Sequence, residues 1–187
     1  RKPISAVIKG ESSTGKSYLA KQILRFFPHE AMKNFTRISP ASLYYMNENE
    51  LRHKILCVFE RQGSEGADYS IRSLLSEDRL ELSVTTRDAE TGDFKKLERV
   101  VHGPVCFIET TTDQRVHPEN ETRLVSIFTD ESPGQTQAIY AIQDRRYLPG
   151  GRRDAAEIEE ILRVHHALQR ELRAIPVYIP YVRLITF

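Results

Sequence analysis

The feature that most narrows what this chain can fold into is a short run near its amino end, Gly10-Glu11-Ser12-Ser13-Thr14-Gly15-Lys16-Ser17. Before it, Pro3 to Lys9 is short, β-branched and stopped by Gly10, the profile of a buried strand. After it, Lys16 to Phe27 carries apolar residues at Leu19, Ile23 and Phe26 or Phe27 and is closed by Pro28, the profile of a helix. Two glycines spaced by four residues, then Lys and Ser, between a strand and a helix, form a phosphate-binding arrangement. The glycines let the loop curl so that backbone N–H groups face an anion, and the helix directs its positive end at the same place. Lys16 is expected to reach the β- and γ-phosphates and the Ser17 hydroxyl to ligate magnesium. Gly10 through Tyr18 (Gly10, Glu11, Ser12, Ser13, Thr14, Gly15, Lys16, Ser17, Tyr18) are therefore the expected binding residues for ATP and Mg2+.

The rest of the chain reads as an α/β sheet around that loop. Asn34 to Ile38 is a second candidate strand, and Ser39-Pro40 opens a short helix through Tyr45. Lys54 to Glu60 is a continuous apolar run ending in an acid, the best buried strand. Ala67 to Ser76 sets Ile71, Leu74 and Leu75 on one helical face. Leu80, Leu82 and Val84 alternate with polar residues, turn residues fill Asp88 to Asp93, and Leu97, Val100 and Val101 return, which predicts a β-hairpin. Further strands are expected from Pro104 to Glu109 or Thr110 and from Leu124 to Thr129, with a polar segment holding His117-Pro118 between them. After a break at Pro149-Gly150-Gly151, an amphipathic helix is predicted from about Asp154 to Ala174, with Ile158, Ile161, Leu162, His165, Leu168 and Leu172 on one side. Strands alternating with helices imply a five-stranded parallel sheet with a hairpin insertion.

At 187 residues, 40% of them hydrophobic, the chain is long enough for one compact unit with a small appendage. Residues 1–135 form the expected core and 136–187 a helical segment, a truncated lid or a linker to a further domain. Lysines and arginines number 27 against 26 acids, so no global field steers the chain onto nucleic acid and any polyanion site must be local. The longest apolar runs, such as Val105-Cys106-Phe107-Ile108, fall far short of the roughly 18 to 20 residues of a membrane helix. Cys57 and Cys106 sit in apolar stretches without metal spacing and read as reduced core residues, which fits the cytoplasm. The abrupt end at Phe187 suggests a piece of a longer protein.

Hydrolysis needs acids at the end of a neighbouring strand. Glu60 is the candidate, either as the base that polarises water or as a magnesium ligand; Phe59 precedes it and cannot ligate a metal. Glu65 and Asp68 lie close enough downstream to substitute, and a plain surface acid at position 60 is the rival reading. Thr110, Thr111 and Thr112 end the fourth strand where polar groups can meet the γ-phosphate or water, although threonine is ordinary in strands. Arg123 precedes the fifth strand and suits either a trans role at a neighbouring subunit's nucleotide or a local ion pair with Glu119 or Glu121. In the hairpin, Arg87, Phe94, Lys95, Lys96 and Arg99 are candidates for nucleic acid, offset by Asp88, Glu90, Asp93 and Glu98. Arg152, Arg153 and Arg163 read as a solvated helix face and the histidines as structural or surface residues.

This order of elements resembles AAA+ ATPases, within them most closely the minichromosome-maintenance helicases and related replicative helicase domains of phages and mobile elements. The resemblance covers roughly Pro3 to Glu131. It implies that Lys16 and Ser17 are the Walker A residues, Glu60 the catalytic acid of Walker B, Thr110 or Thr111 the sensor 1 position and Arg123 the arginine finger. Phe59 stands where the family pattern has Asp, and threonine where the sensor is usually Asn. The resemblance further implies a homo-oligomeric ring, a hexamer, acting on single-stranded DNA, with the hairpin tracking the strand in the channel. Two other readings share the fold: a nucleotide switch that binds without hydrolysing, and a small-molecule kinase.

Overall fold

The computed structural model describes residues 2–39, 41–61, 65–87, 93–113, 118–145, 147–148, 155–173, 178 and 180. Its centre is a parallel sheet of β1 (Ser5–Lys9), β2 (Met32–Phe35), β3 (Lys54–Val58), β6 (Val105–Thr111) and β7 (Leu124–Phe128), in the order β2-β3-β6-β1-β7. A separate antiparallel ribbon joins β4 (Arg79–Arg87) to β5 (Phe94–His102). The expected α/β architecture with a hairpin insertion is thus the observed one. The helices are α1 (Lys16–Leu24), α2 (Asp68–Glu77), the single turn α3 (Pro118–Glu121), α4 (Pro133–Arg145) and α5 (Ala155–Glu171).

Alternation along the inner strands decides the layers. Val7, Leu56, Val58, Val105 and Phe107 face one side and pack with Ile71 and Leu74 of α2 and with Leu80 and Val101 at the hairpin root. Ile8, Ile55 and Cys57 face the other side and pack with Ala20 and Leu24 of α1. Strands covered on both faces must be apolar throughout, which is why β3 reads as an unbroken apolar run. Cys57 is fully buried, and burial pushes its thiol up to about 12, so it is an unreactive core residue. No helix among the described residues is long and apolar enough to cross a membrane.

Several boundaries differ from expectation. The second strand is Met32–Phe35, not Asn34 to Ile38, because its ladder pairs Met32 with Ile55 and Phe35 with Val58, ending both strands together. Ile38 is buried all the same, as a loop residue in the core. The short helix after Ser39 is a 3-10 turn over Ser42–Tyr45, with the Ser42 amide and hydroxyl both donating to the Ser39 carbonyl; Pro40 lies outside the described residues. α1 stops at Leu24, where the Phe26 and Phe27 amides switch to carbonyls three residues back. α3 has no counterpart in the expected elements, and α4 opens the expected helical segment three residues early, at Pro133 rather than 136. The hairpin turn at 88–92 and the segments at 114–117 and 149–154 lie outside the described residues, Arg152 and Arg153 included.

α5 lies against α1. The ring of His165 meets Phe26 edge-on at 5.0 Å, the Arg25 carbonyl lies 2.7 Å from His166 Nε2, and Arg170 pairs with Glu30 at 2.7 Å. Only part of the predicted apolar face is used: Leu162 is buried, whereas Ile161, Leu168 and Leu172 are exposed.

Candidate functional site

The phosphate loop follows β1 at the carboxyl end of the sheet, where parallel α/β folds place their ligands. Its two glycines are required for different reasons. Gly15 has φ +86°, a left-handed conformation that side chains disfavour, and a Cβ there would meet nothing. A Cβ on Gly10 would instead lie 1.9 Å from Thr129 Oγ1, so this position is glycine for want of space. Gly15 also caps α1, and no side chain caps that end or places an acid in its first turn. The first N–H groups of α1 are thereby left to an external anion. Lys16 is buried, its Nζ donating to the carbonyls of Gly10, at 2.9 Å, and Glu11.

A cleft of about 380 Å³ opens beside this loop. From the loop it is lined by Ser12, Ser13, Lys16 and Ser17, from the end of β3 by Phe59, Glu60 and Arg61, and from β6 by Thr110, Thr111 and Thr112. Lys21 and Thr36, which the sequence reading passed over, complete the lining. Glu60 is exposed, and its amide donates to the Thr36 carbonyl at 2.9 Å, tying it to the neighbouring β2 end. Thr110 donates its hydroxyl to the Phe59 carbonyl at 2.5 Å, and Thr111 accepts the Asp113 amide at 3.0 Å. Tyr18, 62% exposed, turns its ring to solvent, so only its backbone can serve the loop.

The residues present fit a magnesium nucleotide. Hydroxyl oxygens from Ser17, Thr36 and Thr110, with the Glu60 carboxylate, make an all-oxygen set of the kind magnesium takes, and Lys16 with the uncapped α1 end supplies the positive counterpart. Phe59 contributes no ligand: its ring packs with the Ile8, Ala20 and Cys57 cluster and lies 5.5 Å from the Lys21 ammonium.

Arg61 also joins the cleft to a buried charge network that the sequence reading missed. Arg61, 5% exposed, donates to Glu109 at 2.5 Å and to Asp68 at 2.6 Å, joining the ends of β3, β6 and the start of α2. Asp68 is thus engaged by Arg61 and does not line the cleft. Burial pushes the Glu109 carboxyl up to about 7, against the pull of Arg61. Lys9, also buried, pairs with Glu121 at 2.6 Å. The available signal was charged residues ending apolar strands, where a buried parallel sheet tolerates them only in pairs.

Arg123 lies apart. Leu124 stands opposite Ser5 and Phe128 opposite Lys9, so Arg123 is at the amino end of β7, roughly 17 Å along the strand from the residue level with Lys9, where the loop begins. Its Nε donates to Ser76 Oγ at 2.7 Å and its Nη1 to the Glu119 carbonyl. The Glu119 and Glu121 carboxylates pair instead with Arg72 and Lys9. In the hairpin, Arg87 is opposite Phe94 and Thr85 opposite Lys96, which places Arg87, Phe94 and Lys96 on one face. Lys95, opposite Thr86, is on the other face, so the candidate nucleic-acid residues do not form one surface. Lys96 is paired with Glu98, and Arg99 stacks over Tyr45 at 4.9 Å.

A family model described as the MTBMA_p00010 P-loop domain matches residues 1–172. The chain belongs to this P-loop domain family. No curated protein matches the sequence. Membership in a P-loop domain family accords with the loop, the uncapped α1 end and the parallel sheet, and it makes nucleotide binding the coarse function of the domain. The match carries no helicase or replication assignment.

Proposed function

We propose that this P-loop domain is an ATP-hydrolysing motor of a ring-forming helicase or translocase that moves along single-stranded DNA in replication. The observation that carries the reading is the convergence of Lys16 and Ser17, Glu60, and Thr110 in one cleft from the ends of three different strands. Because β6 lies between β1 and β3, lysine and acid approach the cleft from opposite sides of it. Lys16, the loop amides and Ser17 would hold ATP with magnesium; the ATP would supply the phosphoanhydride that is cleaved and the magnesium would neutralise its charge. Glu60 orients the attacking water and accepts its proton. Arg123, exposed and remote from its own loop, suits a neighbouring copy's nucleotide in a hexameric ring. Phe59 favours a second reading, a switch that binds ATP without hydrolysing it, because the side chain where the resemblance implies a metal-ligating Asp is packed into the core.

The test is magnesium-dependent ATP turnover at raised protein concentration, with and without single-stranded DNA. Turnover stimulated by DNA and lost in both Lys16→Ala and Glu60→Gln is the expected result. Lys16-dependent binding with no turnover, on protein shown to oligomerise, would favour the switch. Mixing Lys16→Ala with Arg123→Ala chains should recover part of the activity, at sites built from two intact halves. No recovery despite co-assembly would remove Arg123 from the mechanism.

A further inference from the structure

We infer that Thr129 and Glu131, which follow β7, are positioning residues for the nucleotide: they clamp the entry limb of the phosphate loop to the carboxyl end of β7 and so set its affinity. The inference rests on the nucleotide-binding reading of the loop and not on the motor.

A connected set of hydrogen bonds surrounds this limb. The Glu11 amide donates to Glu131 Oε1 at 2.9 Å. The Thr129 amide donates to the Lys9 carbonyl at 3.0 Å. The Thr129 hydroxyl has three acceptors within reach, the Thr14 hydroxyl at 3.1 Å and the Lys9 carbonyl and Glu131 Oε1 at 3.3 Å each, for its single proton. Thr14 in turn donates to the Glu11 carbonyl at 2.9 Å, so both arms of the loop are bridged through Thr129. Gly10 completes the lock, since a Cβ there would collide with Thr129 Oγ1 at 1.9 Å, press on Thr14 Oγ1 at 2.9 Å and approach Glu131 Oε1 to 3.1 Å. The first glycine of the loop is therefore fixed by a residue well over a hundred positions downstream. Lys16, whose ammonium rests on the Gly10 and Glu11 carbonyls, is oriented by the same limb.

Two roles of Glu131 separate cleanly. As a hydrogen-bond acceptor it holds the loop in shape; as a negative charge beside an anion site it opposes the phosphates. Glu131→Gln keeps an acceptor oxygen and removes the charge, whereas Glu131→Ala removes both.

The experiment is magnesium-dependent binding of a fluorescent methylanthraniloyl ATP analogue to the chain and its variants. Loss of one hydrogen bond corresponds to about a two- to twelvefold weakening. Glu131→Ala should fall in that range, Glu131→Gln should bind as tightly as the parent or more so, and Thr129→Val should weaken binding like Glu131→Ala. Gly10→Ala should bind at least about tenfold more weakly, and Gly10→Ala/Thr129→Ala should bind more tightly than Gly10→Ala alone because the nearest colliding atom is gone, leaving only the 2.9 Å approach to Thr14 Oγ1. Hydrogen exchange should be faster at the Glu11 amide in Glu131→Ala and unchanged in Glu131→Gln. Parent-like affinity of Glu131→Ala and Thr129→Val, or a double variant no tighter than Gly10→Ala, overturns the inference while leaving nucleotide binding intact. Absence of Lys16-dependent binding in the parent overturns the nucleotide reading and the inference with it.

Discussion

The cleft end of the parallel sheet and the outer half of the β4–β5 hairpin both carry charged and hydroxyl residues on strands, yet they hold them in opposite ways. At the cleft, Lys9, Arg61, Glu109, Thr110 and Thr111 are all buried, and each has a partner on another element or on the turn that follows. On the hairpin, Arg87, Lys95 and Lys96 are exposed and Phe94 is 77% exposed. Strands covered on both faces have neighbours on every side to fix a polar group, whereas a two-stranded ribbon docked only at its root leaves its far end to solvent. The lesson is that site geometry at the cleft is part of the fold's stability, while residues of the hairpin can change with little effect on folding.

Truncation should expose that contrast most strongly. Phe107→Ala removes a fully buried ring from the centre of the sheet and should cost about 3–5 kcal/mol in urea unfolding, whereas Lys96→Ala in the hairpin should change stability by under about 0.5 kcal/mol. Equal losses at the two sites would break the comparison.

Acidity gives a finer test. Glu109 has its folded carboxyl raised from 4.5 to about 7, so its contribution to stability is fully present below about pH 4.5 and is lost as pH rises through about 7. Between those values this group alone should lower stability by up to about 1.4 kcal/mol per pH unit. Glu109→Gln, a neutral mimic, should flatten that part of the profile, as measured by denaturant titrations from pH 4.5 to 8. A slope unchanged by the substitution would show that Arg61 holds the carboxylate ionised throughout. The last test belongs to the hairpin's two faces and to the proposed motor: if that reading holds, Phe94→Ala weakens single-stranded DNA binding by about 1–3 kcal/mol with no change in melting temperature, and Lys95→Ala, on the opposite face, by less.

Much of this architecture was legible because local signals agreed. The phosphate loop sits between a β-branched strand and an amphipathic helix, the apolar runs of β3 and β6 announce burial, and the alternation of Leu80, Leu82 and Val84 marks a ribbon. Within the expected helical segment the sequence does not mark off α4 as a separate helix, because all its residues are exposed and no apolar stripe demands a partner. Its start was nonetheless written in Ser132-Pro133: the Ser132 hydroxyl accepts the Gln135 amide at 3.2 Å, with proline at the first helical position. The last helix is the reverse case: its expected apolar face is wider than the contact it makes with residues 25–30, and Ile161, Leu168 and Leu172 stay exposed.

Sequence alone determined the strand-loop-helix unit, the parallel sheet and the identity of Lys16, Ser17 and Glu60 as cleft residues, because each depends on short-range periodicity or on chemistry within a few positions. Tertiary structure alone decided which polar groups meet: Arg61 with Glu109 and Asp68, Lys9 with Glu121, Glu131 with the Glu11 amide, and Arg123 with Ser76. Those pairs bring together residues from 7 to 120 positions apart. Strand order brings them together, and strand order is set by how whole layers bury their apolar faces, a property that no single segment carries.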